Sequence, residues 1–163
     1  MSGFRLRAGT VADAAAVLAL NNASVPHVNE LTAETFAQLV AMSVHYTVAE
    51  DAGGILGFVL CLASGGDYWS DNYRWFSTRY DSFLYLDRVA VSPRAQRRGV
   101  GRALYDGVHA AARGRWPCVT LEVNLRPPNP VSDAFHRAMG YEEVGVREYE
   151  DGAKAVRMYR RAC

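Results

Sequence analysis

Apolar and polar residues alternate along Phe4-Arg5-Leu6-Arg7, the period of a half-buried strand. Thr10, with Asp13 three residues on, predicts a capping box that opens a helix running to about Asn22. Thr32 reads as a second N-cap: Leu31 and Phe36 are spaced as a hydrophobic staple, and Leu39 and Val40 continue the apolar stripe. The apolar runs Tyr46 to Glu50 and Ile55 to Leu62 flank Asp51-Ala52-Gly53-Gly54 and predict a hairpin. A strand follows at Phe83 to Val91, then a helix over Gly101 to Arg113 whose stripe (Val100, Ala103, Leu104, Gly107, Val108, Ala111) is small enough for close packing on a sheet.

Cys118 to Val123 again alternates, with Val119, Leu121 and Val123 on one face and Thr120, Glu122 and Asn124 on the other. Proline at 127, 128 and 130 predicts an irregular segment over 125–130. A short helix is expected from about Val131 to Met139, stopped by Gly140. Tyr141 to Arg147 and Ala153 to Arg160 form a second hairpin around Glu150-Asp151-Gly152. Between Ala63 and Ser82 periodicity is lost, although Tyr68, Trp69, Tyr73, Trp75, Phe76 and Tyr80 are concentrated there. The segment reads as a long irregular loop, its rings either covering the core or walling a substrate pocket.

The strongest chemical signal is Gln96-Arg97-Arg98-Gly99-Val100-Gly101, a glycine turn between an apolar strand and a helix. The first amides of a helix lack intrahelical partners and carry the positive end of the peptide dipoles, so such a turn is an anion site. Arg94, Arg97, Arg98 and Arg102 add positive charge, and the expected ligand is a phosphate or pyrophosphate. A nucleotide-hydrolysing loop would need Lys followed by Ser or Thr, and a dinucleotide fingerprint a third glycine where Leu104 stands.

The spacing Gln/Arg-x-x-Gly-x-Gly/Ala, placed after Val89-Ala90-Val91 and before an amphipathic helix, resembles the acyl-CoA-binding motif of the GNAT superfamily of N-acyltransferases. Asn129, Ser132, Phe135, His136, Gly140 and Tyr141 are similar to the superfamily's later pattern, with His136 where Tyr is common. The order of elements extends the resemblance over nearly the whole chain. It implies a single domain over 1–163 of α/β class (α+β type), with a central mixed, mostly antiparallel sheet of about seven strands flanked by about four helices. It also implies acetyl-CoA as co-substrate, lying where the sheet splits between the strands at Phe83 to Val91 and Cys118 to Val123. Main-chain groups of Val89, Ala90 and Val91 would then meet the pantetheine. Amides from Arg97, Arg98, Gly99, Val100, Gly101 and Arg102, next to Gln96, would hold the pyrophosphate. Asn124, Asn129, Ser132, Phe135 and His136 would complete the cofactor side.

Acetyl transfer to an amine requires removal of an amine proton, stabilisation of the carbonyl oxygen and a proton for the leaving thiolate. Glu122 is the candidate base, its alternative being an ordinary paired glutamate. His136 is the candidate acid, its alternative being a histidine that only packs against CoA, and Tyr85 and Tyr141 are further hydroxyls. His27, His45 and His109 have no ligand spacing with the cysteines, so no metal is expected.

Composition narrows the setting. Half of the 163 residues are hydrophobic and 21% are charged, enough for one core-bearing domain, and a net charge of +1 argues against a nucleic-acid partner. Three separated cysteines suit reduced thiols in the cytoplasm, and no segment reads as a signal or a membrane span. The expected partner is a small-molecule or peptide amine, with a homodimer also allowed. A noncatalytic acyl-CoA-binding or regulatory domain is the competing class.

Overall fold

The computed structural model describes residues 3–26 and 28–163, so the reading of His27 lies outside the described residues. The chain divides into two compact units, Met1–Ala63 with Leu86–Ala111 and Ser64–Tyr85 with Ala112–Cys163.

In the first unit, β1 (Arg5–Ala8) pairs antiparallel with β2 (His45–Asp51), and β2 with β3 (Gly54–Ala63). Between β1 and β2 lie α1 (Ala14–Ala23) and α2 (Ala33–Met42). Their starts follow the sequence signals. The Asp13 carboxylate accepts the Thr10 backbone N–H at 2.8 Å, although the first turn, Val11–Asp13, is 3-10. The Thr32 hydroxyl accepts the Thr35 N–H at 3.1 Å. Val17, Leu39, Phe58, Leu60, Leu104 and Val108 have no exposed surface and form the core of this unit. Gly57 is required by close approach, because a Cβ there would sit 3.0 Å from the Ala90 carbonyl oxygen.

At the β1–β2 edge, Arg7 joins Asp13 at 2.7 Å and Glu50 at 2.9 Å. The buried Arg88 donates to Asp87 at 2.7 Å, to the Asn21 side chain at 3.1 Å and to the Asn29 carbonyl at 3.2 Å. It thereby fixes the segment that follows α1.

The second unit contains α3 (Asp71–Ser77), β5 (Cys118–Arg126), α5 (Pro130–Ala138), β6 (Glu142–Tyr149) and β7 (Lys154–Ala162). β7 pairs antiparallel with both β5 and β6. β4 (Leu84–Val91) begins in this unit, where it pairs parallel to β5 at Leu84↔Val119 and Tyr85↔Thr120. α4 spans Val100–Ala112. The hydrogen-bonded strand order is β1-β2-β3-β4-β5-β7-β6, a seven-stranded, mostly antiparallel sheet of the expected class.

Two expectations are corrected. The segment 63–82 contains α3, which raises the number of α-helices among the described residues to five. Ser70 caps it by accepting the Tyr73 N–H at 3.3 Å, and Tyr73 and Phe76, three residues apart, bury one face. Tyr68, Tyr73 and Phe76 are core rings, packed in edge and tilted contacts with Phe83 and Tyr85, while Trp69 remains 47% exposed. A seven-residue helix presents too few turns for its period to stand out among so many aromatics. The second correction is that β5 runs on through Leu125 and Arg126, because pairing with β7 continues past a bulge to Arg126↔Ala155.

Candidate active site

The glycine turn is built in the first unit. The Ser92 carbonyl accepts the Ala95 N–H at 2.9 Å and closes a 3-10 turn over Pro93–Ala95, after which the backbone reverses through left-handed Arg97 (φ 63°) and Gly99 (φ 80°). The first helical bond of α4 runs from the Ala103 N–H to the Gly99 carbonyl at 3.0 Å, so the amides of Val100, Gly101 and Arg102 lie at the helix's open end. A Cβ on Gly99 would meet nothing within 4 Å, and one on Gly101 would meet only Val91 Cγ2, at 3.8 Å. The space before these amides therefore suits an anion.

Other parts of the turn are committed internally. The Arg98 N–H donates to the Ala95 carbonyl and the Gln96 N–H to the Pro93 carbonyl, each at 3.3 Å. Nor is the arginine cluster a uniform positive field. Asp51 at the end of β2 accepts Arg94 at 3.2 Å and Arg98 at 3.0 Å, and these pairs, Arg94 foremost, lower its pKa to about 2. Arg97 and Arg102 are exposed. In β4, Ala90 is buried with its carbonyl against Gly57, while Val89 and Val91 are half-buried.

A second constellation is built in the other unit. Glu122 follows Thr120 by two residues and so shares its face, which brings its carboxylate to Tyr85. The Tyr85 hydroxyl lies 2.8 Å from both Glu122 oxygens. Asn72, on α3, donates its amide N–H to Glu122 Oε1 at 3.0 Å, and Arg147 Nε, on β6, donates to Asn72 Oδ1 at 2.7 Å. The Tyr85 ring is itself wedged among Tyr68, Tyr73 and Phe76. Asn124 is half-buried further along β5, in register with Val156.

The α5 residues form a third group. Asn129 caps the helix, its side-chain oxygen accepting the Ser132 N–H at 3.3 Å. The buried His136 has Nδ1 2.7 Å from the Ser132 carbonyl oxygen and 3.2 Å from its hydroxyl. A carbonyl only accepts, so Nδ1 carries the proton and, in the neutral ring, Nε2 is the basic nitrogen. The ring stacks on Tyr159 at 6.1 Å and meets Tyr141 and Phe135 edge-on. Burial pushes its pKa below the ordinary histidine value.

Asn72 and Arg147 escaped sequence reasoning, and Tyr85 was only one of several hydroxyls. Tyr85 and Glu122 are legible as neighbours once two strands are paired in register. Asn72 lay in a stretch read as loop, and Arg147 had no signal of its own.

The acetyltransferase (GNAT) domain profile matches residues 43–143. The chain belongs to this family and is an acyltransferase. A search of curated proteins finds no match. Among solved structures, the Escherichia coli ribosomal-protein-S18-alanine N-acetyltransferase is similar at 18% identity and a TM-score of 0.76, over 98% of this chain and 94% of that one. Chaetomium thermophilum Naa20, solved with a bisubstrate analogue, is 24% identical with a TM-score of 0.77, over 97% and 86%. The NatC complex bound to Gag peptide and CoA gives a TM-score of 0.78 at 11% identity, over 100% and 99%. At these identities the likeness establishes the fold.

Proposed function

We propose that this acyltransferase moves an acetyl group from acetyl-CoA to a primary amine, by direct attack with both substrates bound. The observation that carries the reading is the opening of α4, where left-handed Gly99 and small Gly101 leave the amides of Val100, Gly101 and Arg102 open to a pyrophosphate. Exposed Arg97 and Arg102 supply charge, and Val89 to Val91 supply main-chain groups for the pantetheine. Asn124, Ser132 and Phe135 serve the same ligand. Acetyl-CoA brings the activated acyl carbon.

Glu122 acts as the base. A free amine is mostly protonated at neutral pH and must lose a proton before attack. The Tyr85 hydroxyl donates to the Glu122 carboxylate and holds it in place. His136 is the accessory acid, acting from Nε2. Its burial makes the protonated form scarce at neutral pH, and a thiol with an ordinary pKa near 8.5 leaves readily as thiolate, so its contribution is the smaller one.

A peptide amine is the favoured acceptor class, because the similar structures include an S18-alanine N-acetyltransferase and a complex bound to a peptide. Buried free Cys61 and Cys118 suit a reducing compartment such as the cytoplasm. Calorimetry with CoA and a thiol-release assay with acetyl-CoA, against peptides of varied first residue and a panel of small amines, test the reading. Binding with turnover on at least one amine is expected. Binding without turnover on any would favour a noncatalytic acyl-CoA-binding domain, and no binding by folded protein would overturn both.

A further inference from the structure

We propose that Asn72 is a positioning residue for the Glu122 carboxylate, and that Arg147 sets the direction in which the Asn72 amide points. The inference rests on the reading of Glu122 as the base and extends it to two residues on elements remote from β5 in sequence.

The chain of donors has one direction. A guanidinium only donates, so the Asn72 atom 2.7 Å from Arg147 Nε must be the carbonyl oxygen. The amide nitrogen is then forced toward Glu122, where it meets Oε1 at 3.0 Å. With Arg147 in place, the flipped amide would set two donors against each other on one side and two oxygens on the other. The Tyr85 hydroxyl, 2.8 Å from each Glu122 oxygen, fixes the carboxylate from β4. Groups from α3 and β4 thus meet on one carboxylate of β5, and β6 acts on it through Asn72.

Arg147 and the helix that carries Asn72 are each held by further contacts. The Arg147 guanidinium stacks over the Tyr149 ring at 4.8 Å. α3 is held by buried Tyr73 and Phe76 and by Trp75, whose ring lies against Gly145 on β6. The flank of α3 that bears Asn72 is therefore presented to Glu122 by the same helix that fills the core.

Asn72→Ala, Asn72→Asp and Arg147→Leu, with Glu122→Gln as control, test the proposal by two readouts. The first is the titration of Glu122 in carbon-13-glutamate-labelled protein, assigned by loss of its signal in Glu122→Gln. All three substitutions are expected to move its midpoint to higher pH, Asn72→Asp most, since that variant replaces a donor by a like charge. The second is initial rates with acetyl-CoA and an alanine-starting hexapeptide, for which Asn72→Ala is expected to lower kcat about 10- to 100-fold with KM for acetyl-CoA unchanged. Asn72→Asp is nearly isosteric and can still pair with Arg147. A merely structural role would leave the kcat of Asn72→Asp at the wild-type value at pH values where Glu122 is ionised, and the Glu122 midpoint of Asn72→Ala unchanged, and those results overturn the proposal. Retained turnover in Glu122→Gln would instead remove the base reading, while the titration would still decide whether Asn72 and Arg147 govern the carboxylate.

Discussion

The hydroxyl of Tyr85, at the start of β4, is equidistant from the two carboxylate oxygens of Glu122 on β5. Tyr85→Phe keeps the ring among Tyr68, Tyr73 and Phe76 and removes only that donor. Turnover of an accepted amine is expected to fall about tenfold or more, with CoA affinity within twofold of wild type. Glu122→Gln should cost about 10²- to 10⁴-fold in kcat. Steady-state kinetics beside calorimetry checks both, and equal loss of CoA binding in either variant would place the pair in a folding role instead.

The two glycines of the turn make unequal probes. Gly99 has φ 80°, so any side chain there strains the backbone, whereas a Cβ at Gly101 meets only Val91 at 3.8 Å. Gly101→Glu is therefore the clean test. It should abolish calorimetric CoA binding while the thermal midpoint stays near wild type, because it sets a negative charge before the open helix amides. Undiminished affinity in the folded variant would remove the site from this turn.

Asp13 and Glu50 at the β1–β2 edge, with Asp51 at the end of β2, are expected to set the first unit's acid stability. Hydrogen bonding to Arg7 lowers both Asp13 and Glu50 to about 2, and Arg94 foremost lowers Asp51 to about 2. A carboxylate whose folded pKa is depressed contributes fully above its unfolded value and loses that contribution as pH falls toward the folded one. Thermal midpoints should thus drop between about pH 4 and pH 2. Asp13→Asn should be less stable at pH 7 but show a shallower drop, and identical acid profiles would contradict the assignment.

His136 has the same sign as these carboxylates but acts at higher pH. Burial disfavours its imidazolium, so the unfolded chain binds the extra proton more readily, and stability should fall as pH drops below about 6.5. His136→Phe should flatten that slope in melting experiments from pH 7.5 to 5. In kinetics it should lower kcat by at most about tenfold, since a thiolate leaves without a strong acid. A loss as large as that of Glu122→Gln would assign His136 the main share of the proton transfer.

Gly145 follows the irregularity in β6, with the Trp75 ring lying on its Cα. Gly145→Ala must displace the indole, at an expected cost of about 1–3 kcal/mol, read by chemical denaturation. Trp75→Leu in the same background should recover part of that loss. Additive losses would show that the two positions do not couple.

Most of the fold was legible because its signals are local. Thr32 and Gly140 mark element ends by backbone chemistry that neighbouring residues dictate, and the β2–β3 and β6–β7 hairpins turn at short glycine-bearing segments. The glycine turn into α4 was legible for the same reason. Two features were not. α3 is a single short helix whose buried face, Tyr73 and Phe76, is drawn from a run in which exposed positions are aromatic too. The arginines were read as one positive cluster because the partner of Arg94 and Arg98, Asp51, lies more than forty residues earlier and reaches them only through the β2–β3 turn. Asn72 and Arg147 belong with these, since a contact spanning 75 residues leaves no trace in spacing.

The double duty of α3 bears on how this enzyme can change over time. One helix of seven residues both fills the interior with Tyr73 and Phe76 and reaches the Glu122 carboxylate, the proposed base, through Asn72. Altered catalytic traits and altered fitness to fold are thus inherited as one unit along 71–77. Neutral drift toward new acceptors has more room at outward-facing Trp69 and Arg74 than at the positions between them and the centre.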